Sequence, residues 1–363
     1  MMMDRPSVKI IYVMIIASLC CLMAACGGKD TGAVSDIKEN STKERIVVGF
    51  SQLGAESDWR SANTESMKSV FSKENGYELI FDDAQQKQTN QITAIRSFIQ
   101  QDVDYIVLAP VTETGWDTVL FEAKEAGIPV IIVDRQVDVS DDSLFTCWVG
   151  SDFELEARKV CMWMSYYFNK KGVKSEDVHI VDIQGTLGST AQIGRTKGFD
   201  DMANLYGWDV VAHESGDFTK SKAKEAMFAI LRNYDNVNVV FCENDNEALG
   251  VIEVLEASGK KCGSDITNGE IMVVSFDGVN KEAVSSLVAG KISCIGECNP
   301  LHGPRVESII RKLARGQEPY KYQYVNEKIF AGTSAVPSIM LGGKEYRVTV
   351  FNEESLYEWP YLN

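Results

Sequence analysis

The fold can be inferred from one stretch, Gly127-Ile128-Pro129-Val130-Ile131-Ile132-Val133-Asp134-Arg135. Glycine and proline interrupt the chain, and four consecutive β-branched residues then form an apolar run without polar alternation. Such a run predicts a short strand buried on both faces, as in a parallel sheet covered by helices. The run ends at an acidic and a basic residue, and ligands of open parallel sheets bind at the carboxyl ends of strands.

The same order of strand, turn and amphipathic helix recurs on both sides of this stretch. Ile92, Ile95 and Ile99, for example, have helical spacing. Before Gly150 we predict strands at 46–50, 77–81, 105–109 and 130–133 and helices at 59–72, 89–100 and 116–126. After it we predict strands at 178–183, 209–212, 237–241, 271–275 and 292–295 and helices at 154–168, 191–205, 221–231, 247–257 and 281–289. The pattern predicts an α/β fold of two doubly wound parallel-sheet lobes that face a common cleft.

Length and charge narrow the class of function. The chain has 363 residues and a formal net charge of -16 at pH 7. The length suits two α/β lobes with cores of their own. The acidic balance argues against a nucleic-acid partner, because phosphates require a basic surface.

The first residues indicate export and a lipid anchor. Arg5 and Lys9 precede an apolar run over 10–25, which is typical of a secretory signal peptide. The run ends at Leu22-Met23-Ala24-Ala25-Cys26-Gly27-Gly28, and small residues before a cysteine resemble a bacterial lipobox. We predict a signal peptide over 1–25, then a lipidated (palmitoylated) Cys26 and a polar tether over 26–44 that hold the protein extracytoplasmically on the cell membrane. A plain signal peptide with an incidental cysteine is the alternative.

The sequence has no recognisable catalytic or metal-binding motif. The cysteines after the anchor, at 147, 161, 242, 262, 294 and 298, form no CxxC pair, and most lie in apolar runs that favour buried free thiols over oxidative pairing. His179, His213 and His302 lack metal-ligand spacing, and neither GK[ST] nor G-x-S-x-G occurs. We predict a protein that is not an enzyme, with no catalytic residue, metal or cofactor. A glycosidase carboxylate pair is the alternative in so acidic a chain.

Polar residues just past the predicted strands are the candidate ligand contacts of the first half. Glu56, Trp59 and Arg60 stand at i, i+3 and i+4, so a helical first turn places them on one face. An indole between a carboxylate and a guanidinium suits a sugar, because the ring stacks on C–H groups while the charges bind hydroxyls. A helix cap with a packed tryptophan and a surface ion pair is the structural alternative. Asp134 and Arg135 could grip neighbouring hydroxyls or brace a loop.

The second half offers a smaller set of the same kind. Arg195 lies one turn into a predicted helix, close enough to the cleft to donate hydrogen bonds. Asn244 and Asp277 end predicted strands, where each is either a ligand contact or a turn residue.

These motifs resemble those of bacterial type I periplasmic sugar-binding proteins of ABC importers, and among them the group that binds galactofuranose. The resemblance covers about residues 46–330. It rests on 48–52, 56–60, 85–88 with 96–98, 109–111, 115–116, 134–135, 184–186, Arg195 with 197–199, 215–219, 244–245 and 277–279. Asp58 departs from a glycine in the family, and Asn246 from an aspartate. The aromatic tail at 331–363 has no counterpart, and we expect it to pack on the second lobe.

The resemblance implies a periplasmic binding protein type I fold with a three-strand hinge, crossing near 146–150, 294–298 and 321–324. It implies an N-terminal lobe of 45–147 and 298–322 and a C-terminal lobe of 148–297 and 323–363. Ligand contacts are implied for Glu56, Trp59, Arg60, Asp134, Arg135, Arg195, Asn244 and Asp277, with Ser51, Gln85, Thr190 and Phe218 as further candidates.

The implied function is that of a monomeric binding lipoprotein that closes on a neutral monosaccharide, galactofuranose or a similar sugar, and delivers it to a membrane permease of an ABC importer. The residues support a neutral ligand, because the carboxylates of Glu56, Asp134 and Asp277 balance the candidate arginines. A receptor that presents its closed form to a sensor kinase or chemoreceptor is the alternative. An enzyme acting on sugars is a further one, as is a repressor core, which needs a DNA-binding helix pair where this chain has a signal and tether.

Overall fold

A parallel sheet of six strands forms the first of two lobes in this computed structural model, which describes residues 45–358. The predicted signal peptide, Cys26 and the tether lie outside the described residues. Among residues 45–358, no helix is both long and apolar enough to span a bilayer.

Strands and helices alternate along most of the described chain, as the sequence predicts. The strands are β1 (Ile46–Gln52), β2 (Tyr77–Asp83), β3 (Tyr105–Leu108), β4 (Val130–Val133), β5 (Cys147–Gly150), β6 (His179–Gln184), β7 (Asp209–Ser215), β8 (Val239–Cys242), β9 (Lys261–Cys262), β10 (Glu270–Asp277), β11 (Cys294–Glu297), β12 (Tyr322–Tyr324), β13 (Ile329–Ala331), β14 (Ser338–Leu341) and β15 (Lys344–Val350). The helices are α1 (Asp58–Val70), α2 (Gln88–Gln100), α3 (Asp117–Glu125), α4 (Phe153–Lys171), α5 (Thr190–Tyr206), α6 (Lys220–Asn233), α7 (Asp245–Ala257), α8 (Lys281–Val288), α9 (Gly303–Leu313) and α10 (Ser355–Glu358).

The first sheet has the order β2-β1-β3-β4-β5-β12, and all its neighbours are parallel. Leu108 and Phe98 belong to the apolar cluster that joins one face to α2 and α3. Val107, Met67 and Ile309 belong to the cluster that joins the other face to α1 and α9. Helices therefore cover both faces, which is why the strands are continuous apolar runs.

The second sheet has the order β7-β6-β8-β10-β11-β13-β15-β14, with β9 paired to β10. Its pairs are parallel except β11 with β13 and β14 with β15. On one face Phe241 stacks near Phe199 of α5, with ring centroids 4.6 Å apart. On the other face Val240 clusters with Met227 of α6 and Leu249 of α7. The predicted fold class is confirmed: a parallel sheet and a mostly parallel sheet, each covered by helices, form the two lobes.

The chain crosses between the sheets after β5, after β11 and after β12. The predicted lobe boundaries at 147/148 and 322/323 fall inside β5 and β12, both of which belong wholly to the first sheet. Pairing explains the difference, because β5 hydrogen-bonds to β4 on one edge and to β12 on the other. The local sequence carries no sign of these long-range pairs.

The segment after the third crossing extends the second sheet as β13, β15 and β14. Phe351 packs edge-to-face on Phe330, with ring centroids 5.0 Å apart, and joins the core beneath α7 and α8. The tail therefore packs on the second lobe as far as the described residues reach. Neither α9 nor the strands after residue 320 were among the predicted elements, although Val306, Ile309 and Ile310 have helical spacing.

Within the described residues, all six cysteines are buried and free. Burial raises the pKa of Cys147 and of Cys262 to about 11. Thiols with such raised pKa values are largely protonated at neutral pH, so they behave as small apolar core residues.

Candidate functional site

A cavity with about 300 Å³ of space free of protein atoms lies between the two lobes. Its lining consists of Glu56, Ser57, Trp59, Arg60, Asp134, Arg135, Phe153, Ala191, Arg195, Phe218, Asn244, Asp277 and Cys298. The structure thus brings together all eight principal candidates, together with Phe218. The predicted set did not include Ser57, although it lies within the motif at 56–60, nor Phe153, Ala191 and Cys298, which lie in no motif.

The start of α1 positions Ser57, Trp59 and Arg60 in the lining. Ser57 caps the helix, and its Oγ accepts a hydrogen bond from the backbone N–H of Arg60 at 3.2 Å. Arg60 Nε donates to Glu56 Oε1 at 3.1 Å, and its guanidinium lies 4.7 Å from the Trp59 ring centroid. The helix cap and the ion pair of the structural alternative are both present. The pair is buried rather than exposed, however, and it lines the cavity.

Trp59 also anchors α1 to the second crossing. Its indole Nε1 donates a hydrogen bond to the carbonyl of Cys298 at 2.7 Å, and its ring meets His302 edge-on. Burial lowers the pKa of His302 to about 3, so this neighbour is neutral. The indole orientation is therefore set by its contacts with Cys298 and His302.

Asp134 and Arg135 follow β4 and complete the first-lobe wall. Asp134 has a φ of 64°, a left-handed conformation that aspartate tolerates better than most residues. Its Oδ2 lies 2.6 Å from Arg60 Nη2. Arg135 Nη1 donates to the carbonyl of Val111 at 3.0 Å, and its Nη2 lies 3.4 Å from Glu56 Oε1.

Arg195 is the centre of the second-lobe wall. Its Nε and Nη2 lie 3.0 and 2.9 Å from Glu156 Oε2, and Nη2 lies 3.4 Å from Asp277 Oδ1. Its Nη1 donates to the carbonyl of Glu243. Glu156 and Glu243 were not among the predicted residues, since neither lies in a recognised motif.

Asn244 and Asp277 sit where the sequence placed them, at the carboxyl ends of β8 and β10. Asn244 caps α7: its Oδ1 accepts from the N–H of Glu247 at 2.8 Å, and its Nδ2 donates to the carbonyl of Phe218 at 3.1 Å. Asp277 has a φ of 89°, again left-handed, at the position that corresponds to Asp134 in the first lobe. Asn244 therefore combines the turn role with a place in the lining, where one amide N–H is left for a ligand.

Phe218 reaches the cavity because Gly185 makes room for it. A Cβ on Gly185 would lie 2.0 Å from the Phe218 ring. The backbone N–H of Phe218 donates to Glu247 Oε1 at 2.9 Å, which holds the loop after β7. Across the cavity, Arg135 lies 5.6 Å from the centroid of the same ring.

The structure does not bring Ser51, Gln85 and Thr190 into the lining. Ser51 is a buried residue of β1. Gln85 is exposed in the turn after β2, where its N–H donates to Asp83. Thr190 Oγ1 accepts from the backbone N–H of Gln136 at 3.1 Å and so bridges the lobes beside the cavity.

Opposite charges alternate around the cavity and shift one another's pKa values. Burial lowers the pKa of Arg60, but Asp134 and Glu56 outweigh it and raise that pKa overall. Burial opposes ionisation of Asp134, yet Arg60 and Arg135 hold its pKa below the ordinary value. Burial raises the pKa of Asp277 against the opposing effect of Arg195. The lining therefore carries paired charges with no surplus of arginine.

Three buried polar atoms of the lining have no hydrogen-bond partner within the described residues: Glu56 Oε2, Arg60 Nη1 and Arg135 Nε. One is an acceptor and two are donors. An unpaired buried group of this kind costs about 1–3 kcal/mol, and more when it is charged. A ligand that offers donors and acceptors side by side would recover this cost.

Known proteins share both the sequence and the shape. Residues 48–297 match the family model described as a periplasmic binding protein domain. The galactofuranose-binding protein YtfQ of Escherichia coli is 37% identical over 295 residues, which cover 80% of this chain and 89% of that protein.

Two solved structures have the same fold. One is a protein from Mycobacterium smegmatis in complex with β-D-fucofuranose, with a TM-score of 0.74 and 40% identity over 80% of this chain and 92% of that chain. The other is the periplasmic binding protein of the arabinose ABC transporter from Shewanella sp. ANA-3 bound to α- and β-L-arabinofuranose, with a TM-score of 0.73 and 39% identity over 80% and 93%. The chain belongs to the periplasmic binding protein family, and the matched residues run from β1 to β11.

Proposed function

We propose that this protein is the extracytoplasmic substrate-binding component of an ABC sugar importer and that it binds a neutral furanose sugar, galactofuranose or a close relative. The observation that carries the proposal is a set of buried atoms in the lining of one cavity, Glu56 Oε2, Arg60 Nη1 and Arg135 Nε, which have no hydrogen-bond partner among residues 45–358. A sugar hydroxyl donates one hydrogen bond and accepts two, so neighbouring hydroxyls suit such a mixed set.

The charge of the lining favours a neutral ligand. Glu56, Asp134 and Asp277 face Arg60, Arg135 and Arg195, and Glu156 adds a further carboxylate behind Arg195. A phosphate or a sugar acid would bring another negative charge into this set without a free cation to balance it. Hydroxyls can bind to these paired charges without adding net charge.

The furanose ring form is suggested by the relatives. YtfQ is a galactofuranose-binding protein, and the two solved structures hold fucofuranose and arabinofuranose. The residues that line the cavity here include an indole and two phenyl rings, which provide apolar surface for the C–H groups of a small ring.

Binding by closure is supported by contacts that join the lobes at the edge of the cavity. Thr190 of the second lobe accepts from the backbone of Gln136 in the first lobe, and Asp58 meets Asn246. Such contacts form when two lobes close, and closure buries the ligand and strengthens its charged hydrogen bonds.

The relatives are transport binding proteins rather than enzymes, and they do not favour the alternative of a receptor for a sensor kinase. We further propose that lipid on Cys26 holds the protein at the outer face of the membrane as a monomer beside its permease. Labelled palmitate is expected on the wild-type protein and not on a Cys26→Ser variant; equal labelling of both would refute the anchor.

Calorimetry of the purified protein against a sugar panel tests the ligand class. We expect binding of galactofuranose, fucofuranose or arabinofuranose, and weak or absent binding of galacturonate and galactose 6-phosphate. A preference for either charged sugar would contradict the proposal. Turnover of the bound sugar would contradict the transport function.

A further inference from the structure

Behind the cavity, the three chain crossings meet at one buried carboxyl group, that of Glu327. This residue lies on the third crossing, between β12 and β13, and is 5% exposed. Its Oε1 accepts hydrogen bonds from Ser151 Oγ at 2.7 Å and from the backbone N–H of Asn299 at 2.7 Å. Ser151 follows β5 on the first crossing, and Asn299 follows β11 on the second. One oxygen atom therefore links all three crossings.

Glu156 links this point to the cavity. Its Oε2 accepts the hydrogen bond from Arg195 Nε and forms the ion pair with Nη2 described above. Its Oε1 has no hydrogen-bond partner within residues 45–358, although the side chain is 1% exposed. A carboxyl oxygen of Glu156, one of Glu327 and Cys298 Sγ all lie within 4.8 Å of one another. The carboxyl group of Glu156, which has one oxygen without a donor, thus faces the carboxyl group of Glu327.

Two ionised carboxylates so close together in a buried site would repel each other, and a shared proton removes the repulsion. The positions of the hydrogen bonds indicate where that proton sits. Oε1 of Glu327 already accepts from two donors, so Oε2 is the oxygen free to carry it. Burial first, and then the neighbouring Glu156, raises the pKa of Glu327 well above that of an ordinary glutamate.

We propose that Glu327 is a neutral acid that donates a hydrogen bond from Oε2 to Glu156 Oε1, and that this contact positions Arg195 for the sugar and couples its position to the three crossings. The inference rests on the proposed function and extends it: Glu156 and Glu327 are positioning residues that act through Arg195. With this proton in place, both oxygens of Glu156 are satisfied.

The surrounding charges favour a proton over a metal ion between these groups. The titratable groups around the pair lie on several elements. They are Asp152, which caps α4, Lys159 of α4, Glu297 at the end of β11, Cys298 of the second crossing, Arg195 of α5 and Asp277 at the end of β10. Lys159 Nζ donates to the backbone carbonyl of Glu327 at 3.0 Å, and Arg195 is already paired with Glu156. A divalent cation would have to bind beside two cationic side chains.

The proposal predicts how sugar affinity depends on pH. While Glu327 is protonated, the contact holds; as the pH rises through the raised pKa of Glu327, a second anion forms beside Glu156 and the contact breaks. Affinity should therefore fall at alkaline pH. Glutamine at position 327 offers the same acceptor oxygen and an N–H donor but cannot ionise.

Calorimetry with galactofuranose and arabinofuranose, from about pH 6 to about pH 10, tests this on the full chain. We expect Glu327→Leu to weaken sugar binding about tenfold at neutral pH. Glu327→Gln should bind the sugar as tightly as the wild type does at neutral pH, and it should not lose affinity at alkaline pH. Glu156→Gln should weaken binding about tenfold at every pH. Lys159→Met should move the alkaline loss to higher pH without abolishing it, because the lost cation had favoured ionisation of Glu327.

An alkaline loss that persists in Glu327→Gln, or a failure of glutamine to rescue Glu327→Leu, would overturn the proposal. So would a loss of affinity on chelation, which would assign the cluster to a metal ion. A second readout needs no sugar: the infrared C=O stretch of a protonated carboxylic acid should be present in the wild type and reduced in Glu327→Gln. If the wild type binds none of the sugars, the proposed function fails, and the infrared difference alone decides whether Glu327 is protonated.

Discussion

Asp58 of the first lobe and Asn246 of the second lobe bind each other across the cleft. Asn246 Nδ2 donates to Asp58 Oδ2 at 3.1 Å, and the backbone N–H of Asp58 donates to Asn246 Oδ1 at 3.2 Å. Asn280, which caps α8, donates to the same carboxylate. They are also the two positions at which the resemblance implies a glycine and an aspartate instead. Asp58 and Asn246 therefore form one contact that joins the two lobes.

An aspartate at position 246 should oppose closure in this protein, because its carboxylate would face that of Asp58. We expect Asn246→Asp to weaken sugar binding about five- to tenfold, mainly through faster dissociation, and less so at high salt. Stopped-flow dissociation measurements would detect the change. Adding Asp58→Gly to Asn246→Asp should restore the slow rate; a double variant as fast as Asn246→Asp alone would exclude repulsion as the cause.

Removal of the Trp59 ring should reduce affinity on the order of a hundredfold, as expected for a buried aromatic anchor. Trp59→Phe keeps a ring but loses the hydrogen bond to the carbonyl of Cys298, so we expect an intermediate loss. Calorimetry with the best sugar of the panel gives both values.

Trp163, fully buried in the second lobe and stacked on Tyr167, is the matched control. Trp163→Phe should lower the unfolding temperature and leave affinity unchanged; equal affinity in Trp59→Ala and wild type would remove Trp59 from the site.

A side chain on Gly185 should displace the Phe218 ring from the cavity, because the new Cβ would lie 2.0 Å from it. We expect Gly185→Ala to weaken sugar binding and to destabilise the second lobe by about 1–3 kcal/mol. Phe218→Ala removes the clash. In the Phe218→Ala variant, Gly185→Ala should cause little further loss of affinity or stability. A double-mutant cycle on affinity and on the free energy of unfolding would measure this coupling. Additive losses would mean that the two residues act independently.

Stability should decrease with rising pH at the pair formed by buried Asp182 and exposed His213, whose Oδ2 and Nδ1 atoms are 3.0 Å apart. Burial raises the pKa of Asp182 to about 6, and the hydrogen bond to Asp182 raises the pKa of His213. Both groups hold protons more tightly in the folded state than in the unfolded chain. The Asp182 contribution is therefore present below about pH 4 and lost as the pH rises to about 6, and the His213 contribution is lost above its own raised pKa.

Urea unfolding at a series of pH values measures this effect. The free energy of unfolding of the wild type, relative to Asp182→Asn, should fall by on the order of 2–3 kcal/mol between about pH 4 and pH 6. Asparagine keeps an acceptor for His213 but cannot ionise. Parallel pH profiles for the two proteins would show that Asp182 does not titrate with a raised pKa.

Much of the secondary structure could be predicted because its signals are local. β4 appears at its predicted bounds, since four β-branched residues between a Gly-Ile-Pro break and a charged pair admit few alternatives. The helical spacing of Glu56, Trp59 and Arg60 likewise placed these three side chains on one turn. β5 and β12 could not be recognised as strands of the first sheet, because each is short and is defined by pairing with distant residues.

The residues of the candidate site likewise fall into those that the sequence predicted and those that it did not. Charged and aromatic residues that follow strands were visible as motifs, and the eight principal ones line the cavity. Ser51, Gln85 and Thr190 were also candidates but do not line it. Ser51 is buried in β1, Gln85 is exposed in the turn after β2, and Thr190 binds the backbone of the first lobe. Cys298 and Glu156 carry no motif and entered the site only through their contacts with Trp59 and Arg195.

Local chemistry in the chain was enough to predict two α/β lobes and a set of candidate polar contacts. Periodicity and turn residues act over a few positions, so they can be recognised without knowing the neighbours in space. Three further features depended on tertiary structure: which strands pair across the crossings, which partners hold Arg195 and Trp59, and how Glu327 comes to face Glu156. Those contacts join residues far apart in the chain, and the packing of the two sheets alone decides which of them meet.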